Sequence, residues 1–154
     1  MHSRIFQVSL NPIEKADYIT ESNYDYEHWF VGSIADYVSD DCDREEDIKW
    51  LKGCVEGISF GADNNGEYFI VESKETYFEK KFIAFKKVLD KISKCTLSDF
   101  VQDIFEFYQL NILYEDKYGF YIDTDEELMT FDAFIRYCVE KEKYYLGGTC
   151  DYHC

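Results

Sequence analysis

The sequence predicts an α+β fold, a single domain in which helices pack on short antiparallel hairpins. Three observations predict it. Tyr77, Phe78, Phe82, Phe85, Leu89 and Ile92 recur at helical spacing between Ser73 and Cys95, and lysines fill most of the other side. Two pairs of short apolar runs flank turn-forming residues, Asp63-Asn64-Asn65-Gly66 and Glu115-Asp116-Lys117-Tyr118-Gly119. The length of 154 residues suits one domain, and folding at that size buries about 70% of the unfolded chain's surface.

Arg4 to Leu10 is expected as a strand with Phe6, Val8 and Leu10 on one face. Asn11-Pro12, with Glu14 behind it, reads as a short helix start, and Glu21 to Tyr26 as a loop. His28 to Val38 places Trp29, Phe30, Ile34, Tyr37 and Val38 near one helical face. Asp43, with Glu46 three residues later, predicts a capped helix from Arg44 to about Val55, its seam formed by Ile48, Leu51 and Val55. Ile58–Phe60 and Tyr68–Val71 form the first hairpin. The helix from Ser73 to Cys95 follows, and the rest of the chain is expected to cover its apolar stripe.

Thr96 caps a further helix through Leu97, Val101, Ile104, Phe105 and Tyr108, and Leu110–Tyr114 pairs with Phe120–Ile122 in the second hairpin. Thr124-Asp125-Glu126-Glu127 matches a capping box for a last helix using Phe131, Phe134, Ile135, Cys138 and Tyr145, closed by Gly147-Gly148. The expected layout is one domain over residues 1–148 and a flexible tail over 149–154.

The 13 Phe, 14 Tyr and 2 Trp are too much aromatic material for a disordered acidic chain. No run of about 18 apolar residues exists to cross a membrane. The start, Met1-His2-Ser3-Arg4-Ile5-Phe6, lacks the apolar core of a signal peptide, so the expected location is the cytoplasm of the host cell. The spread of Cys42, Cys54, Cys95, Cys138, Cys150 and Cys154 then favours free thiols.

Charge carries the functional reading. The net charge is −16. A folded domain of this size is about 38 Å across, and duplex DNA of that length carries about 22 charges. Glu14 to Glu56 holds 13 acids and 4 bases, and Asp99 to Asp132 holds 10 acids and one base. Residues 57 to 98 are nearly balanced, with 6 acids and 7 bases. This sign disfavours direct nucleic-acid binding and favours a basic protein surface as partner. The expected contact residues are Asp36, Asp40, Asp41, Asp43, Glu45, Glu46, Asp47, Glu115, Asp116, Asp123, Asp125, Glu126 and Glu127, with Tyr37 and Tyr118 as aromatic anchors. Acids at helix starts also complement the helix dipole, which is the local alternative for both dense spots.

The composition is similar to that of acidic DNA-mimic inhibitors such as antirestriction and anti-CRISPR proteins. That similarity of class implies a decoy for phosphate but assigns no residue. The alternatives are an immunity or antitoxin-like protein that binds a basic toxin, and a metal- or thiol-dependent enzyme. For the enzyme, His28 with Cys42 or Cys54 is the candidate nucleophilic pair. Cys150-Asp151-Tyr152-His153-Cys154 is a compact set of ligand types, but it lacks the second pair of a tetrahedral zinc site. Asp40-Asp41-Cys42-Asp43 and Asp123 to Glu127 do not match the calcium loop, and no phosphate-binding glycine loop or nucleophile elbow is present. No cofactor and no metal site are therefore expected.

Overall fold

The computed structural model describes residues 1–154. Its organising element is the last strand, β7 (Lys143–His153), and not the long helix. One edge of β7 pairs antiparallel with β1 (His2–Ser9), from His2↔His153 to Ser9↔Tyr145. Its other edge is shared. β4 (Gly66–Val71) takes residues 143–145, and β2 (Tyr37–Ser39) takes residues 151–153. β3 (Ile58–Asp63) pairs with β4 across the turn Asn64-Asn65, where Gly66 adopts φ +130°. Beyond β1 lie β5 (Tyr121–Asp123), the one parallel partner, and β6 (Leu128–Thr130). The sheet order is β3-β4-β7-β1-β5-β6, a seven-stranded, mostly antiparallel sheet in an α+β domain.

The gap between β4 and β2 leaves carbonyls of β7 without a strand partner. Arg44 fills it: Nε donates to Gly147 O at 2.6 Å and Nη2 to Leu146 O at 2.9 Å. The Cys42 thiol donates to Thr149 O at 3.3 Å. Two side chains thus do for a sheet edge what a strand otherwise does.

Across from β1, β7 carries one extra residue, since Phe6 pairs with Thr149 but Val8 with Leu146. The bulge sits at Gly147-Gly148. It reverses the alternation of β7, so Tyr144 and Leu146 enter one core cluster while Cys150 and Tyr152 enter another. A Cβ on Gly147 would lie 2.3 Å from Gln7 Oε1, and one on Gly148 would lie 2.9 Å from Ile19 N. Gln7 uses that space, accepting from Gly148 N at 2.9 Å and Ile19 N at 3.1 Å.

The two faces of the sheet are covered differently. On the first, α1 (Arg44–Cys54) contributes Ile48 and Leu51, and α5 (Phe131–Tyr137) contributes Phe131, Phe134 and Ile135, around Phe6, Phe69 and Ile122. On the second, Ile5, Tyr121, Leu128, Cys150 and Tyr152 meet Ile19, Tyr24, Phe30 and Ala35. Those four come from a segment of turns and short 3-10 helices, held by edge-to-face rings such as Phe30 on Tyr121 (4.7 Å between centroids) and Phe30 on Tyr152 (5.1 Å). No helix is long and apolar enough to cross a membrane.

Several expectations are corrected. Residues 149–154 are not a flexible tail; Cys150 and Tyr152 are fully buried in the middle of the sheet. The alternation of buried Cys150 and Tyr152 with Asp151 and His153 is a strand period that a reading by position at the chain end overlooks. The first strand stops at Ser9, leaving Leu10 exposed, and Asn11-Pro12 starts no helix. Residues 28–36 form turns, with Gly32 at φ +85° where a right-handed helix needs negative φ. The last helix ends at Tyr137, so Tyr145 and Gly147-Gly148 belong to β7, and the cap of α5 is Thr130 rather than Thr124. Thr124 instead closes the β5–β6 turn, its Oγ1 accepting from Glu126 N and Glu127 N.

The helix after Thr96 breaks at Asp103 into α3 (Leu97–Gln102) and α4 (Phe105–Glu115), and α4 absorbs Leu110–Tyr114. The long helix α2 (Lys74–Ser93) has the expected bounds and its Ser73 cap, yet none of its residues is fully buried. Only Tyr77 and Phe78 at its start reach the main core.

Candidate acidic interface

The segment between β1 and α1 buries Ile19, Tyr24, Phe30 and Ala35 with only turns, two short 3-10 helices and the three-residue β2, and most of its acidic side chains are left at the surface. Residues 14–43 hold nine acids and one base. None of those nine forms an ion pair with a lysine or arginine; Asp36 alone has a partner, His153 Nδ1 at 3.1 Å. The basic residues are spent elsewhere. Arg4 binds Asp47 and Asp151, Arg44 binds Glu67, Lys80 binds Glu56, Lys81 binds Asp116 and Asp132, Lys141 binds Glu72, and Lys143 binds Asp63. Lys143 and Lys141 hold the Asp63 and Glu72 carboxyls below the usual carboxylate range. Acids without a lysine or arginine partner are thus dense in this covering segment, while Glu75, Glu79, Asp99, Asp103, Glu106 and Glu142 are unpaired elsewhere on the surface.

The two acidic stretches of the sequence meet there. The Tyr24 hydroxyl donates to Asp123 Oδ2 at the end of β5, and Leu128 packs in the same cluster as Tyr24 and Phe30. The β5–β6 turn, with Asp125, Glu126 and Glu127 exposed, therefore adjoins the acidic segment. Trp29, Glu115, Lys117 and Glu127 line one cleft of about 450 Å³ at that junction. Exposed rings stand among the acids: Tyr26 is 95% exposed, Trp29 55% and Tyr37 48%, the last stacked on His153 at 5.5 Å.

Of the expected contact residues, the structure places Asp36, Asp40, Asp41, Asp43, Glu45, Asp125, Glu126, Glu127 and Tyr37 on exposed surface. Asp40 also accepts from Glu21 N at 3.3 Å, and Asp43 caps α1 by accepting from Glu45 N and Glu46 N. Glu46 is exposed but paired with Lys49 at 3.0 Å. Glu115 is exposed and accepts from Asn111.

Four do not fit a free acidic surface. Asp47 is buried, bound to Arg4 at 2.5 Å and to the Thr149 hydroxyl at 2.8 Å. Asp116, at φ +50° in the C-cap of α4, is paired with Lys81 at 3.0 Å. Asp123 lies under Tyr24, and burial pushes its carboxyl above the usual range. Tyr118 lines a different trough, with Lys80 and Lys81, and has the Lys117 ammonium over its ring. Trp29 is the interface candidate that the helical reading of residues 28–38 missed.

A polar cluster without sequence signal lies on the other side. Asp132, fully buried in the first turn of α5, accepts from Lys81 Nζ at 2.6 Å and Tyr77 Oη at 2.7 Å through Oδ1, while its Oδ2 has no partner. A trough of about 550 Å³ opens beside it. The Lys81 ammonium is shared by two carboxylates, and burial pushes the Tyr77 phenol up, so it stays a protonated donor. That arrangement ties α5 to α2 and to the end of α4.

His28 Nδ1 accepts from Phe30 N and Cys42 engages Thr149, and neither Cys42 nor the exposed Cys54 is hydrogen-bonded to His28. Burial pushes the Cys42 and Cys150 thiols up, away from the thiolate that nucleophilic or metal chemistry needs. All six cysteines are unbridged, and no three His, Cys, Asp or Glu side chains converge as a metal site. No family model, curated protein or solved structure matches the chain.

Proposed function

We propose that this chain is an acidic inhibitor that occupies a basic nucleic-acid-binding groove on another protein, in an anti-defence role of the antirestriction or anti-CRISPR kind. The observation that carries the reading is the run of unpaired acids on the covering segment and the turn beside it. Residues 14–43 and the turn 125–127 hold acids without a lysine or arginine partner, and Arg4, Arg44 and the paired lysines serve acids elsewhere. Carboxylates fixed on a packed sheet lose little freedom on binding and present a field complementary to a cationic cleft, which speeds encounter and rejects acidic partners. Tyr26, Trp29 and Tyr37 supply the aromatic anchors that such contacts use.

The test is competition against DNA for purified restriction and CRISPR effectors in an electrophoretic assay, at low and at raised salt. The chain is expected to displace DNA from at least one effector, with displacement fading as salt rises. Asp41→Asn with Glu126→Gln and Glu127→Gln should weaken displacement at least tenfold, whereas Glu75→Gln with Glu79→Gln and Glu142→Gln, which removes the same charge away from that face, should not. No displacement across the panel at low salt, or equal loss in both variants, overturns the proposal.

A further inference from the structure

Helices α2, α3 and α4 form an arm whose main contact is α2 with α4, fastened to the body where the Arg136 guanidinium sits over Phe78 (4.8 Å) and Tyr114 (4.6 Å). α4 turns Leu110 and Leu113 inward, yet Phe105, Tyr108 and Ile112 repeat at helical spacing on its outer side. α3 does the same with Leu97, Phe100 and Val101. Phe100 is 73% exposed, Phe105 67% and Tyr108 56%. Two adjoining stripes with the spacing of core-facing helices therefore have nothing packed on them.

We propose that this outer face of α3 and α4 is the contact surface of a homodimer, the occupant being a second copy of this chain. Three observations select that occupant. With aromatic side chains burying 150–250 Å² each, the six apolar residues expose on the order of 600 Å² per copy, so a pair would bury about 1,200 Å², the lower bound of a specific interface. The charge also permits it. Residues 74–116 hold eight acids and seven bases, a net of −1, while the rest of the chain carries −15. The arm is where two copies can approach without like-charge repulsion.

The arm is also complementary to itself. Lys86, Lys87 and Lys91 of α2 make no ion pair, and neither do Asp99, Asp103 and Glu106 beside the apolar stripes. In a twofold contact each α2 meets the partner's α3–α4, so every attractive set occurs twice.

Sedimentation equilibrium of the full chain tests the proposal. The wild-type chain is expected to be a dimer at micromolar concentration, and Phe100→Ser with Phe105→Ser, both at exposed positions, to be monomeric with an unchanged far-UV circular dichroism spectrum. Lys86→Glu with Lys87→Glu, and separately Asp103→Lys with Glu106→Lys, should each be monomeric alone. Their equimolar mixture should dimerise, because both halves of the twofold contact are then attractive. A wild-type chain that stays monomeric at about 100 µM overturns the proposal. So does a dimer that survives the phenylalanine changes, or a charge-variant mixture that stays monomeric.

Discussion

The Tyr24 hydroxyl donates to the Asp123 carboxylate from ninety-nine residues away, and this bond closes the acidic covering segment onto the parallel pair β1–β5. Removing the donor leaves a half-buried carboxylate without its partner. Tyr24→Phe is expected to lower stability by about 1–3 kcal/mol, measured as a shift of the urea midpoint at unchanged slope. A loss below the lower figure would show that water takes the place of the phenol.

The same carboxylate gives a pH signature. Burial raises the Asp123 pKa in the folded chain. The folded state then holds the proton more tightly than the unfolded state, so this group's contribution falls as pH rises from its unfolded value through its folded value. Asp123→Asn removes that loss. Its stability relative to wild type should increase between acidic and neutral pH and level off above the folded pKa. Urea melts across pH 4 to 7 would show it; an advantage that shrinks toward neutrality contradicts the assignment.

Asp47 and Arg4 are read as an internal pair, so Asp47→Ala should destabilise the fold by about 3 kcal/mol, the cost of leaving a mostly buried charge with one partner fewer, here Asp151 alone. It should leave the competition assay unchanged once folded protein is compared. A loss of competition at full stability would return Asp47 to the contact surface.

Phe69, fully buried on β4 among Phe131, Phe134 and Tyr144, is expected to cost about 3–5 kcal/mol on truncation to Ala. Phe100→Ala should stay within about 0.5 kcal/mol. Phe85, read from sequence as the core of a central stripe, touches only the ring of Tyr114 at 6.3 Å among aromatic partners and should fall between the two. Denaturant melts of the three variants would order them.

Deleting residues 149–154 should abolish cooperative unfolding, since it takes Cys150 and Tyr152 out of the second cluster and strips β2 of its partner. Retained cooperativity would mean that the body folds without the end of β7.

The elements that were legible carry local signals. Asp43 caps α1, Ser73 caps α2 and Asn64-Asn65-Gly66 turns the first hairpin, because capping and turn chemistry act over a few residues. The acidic excess was legible too, and with it Asp40, Asp41, Asp43 and Asp125 to Glu127 as exposed charge. What sequence did not yield is long-range. Nothing near Asp47 announces Arg4, and nothing near Asp116 announces Lys81. The covering segment has aromatic residues at spacings that fit a helix, yet its buried Tyr24, Phe30 and Ala35 serve a sheet face without any regular period. The exposed stripes of α3 and α4 obey helical spacing as well as a core helix does, so periodicity alone cannot tell a covered stripe from an open one.

The position of β7 has a consequence for the time taken to fold. β1 has no strand partner from the first hundred residues of the chain; its two partners are β5 and β7, and the His2↔His153 pairing closes a loop spanning nearly every residue in between. The entropy of such closures precedes any reward from the sheet, which places the chain among slow, high-contact-order folders, on the order of milliseconds to seconds. Until that closure the α2–α4 arm, whose contacts are local, can form ahead of the sheet it hangs from.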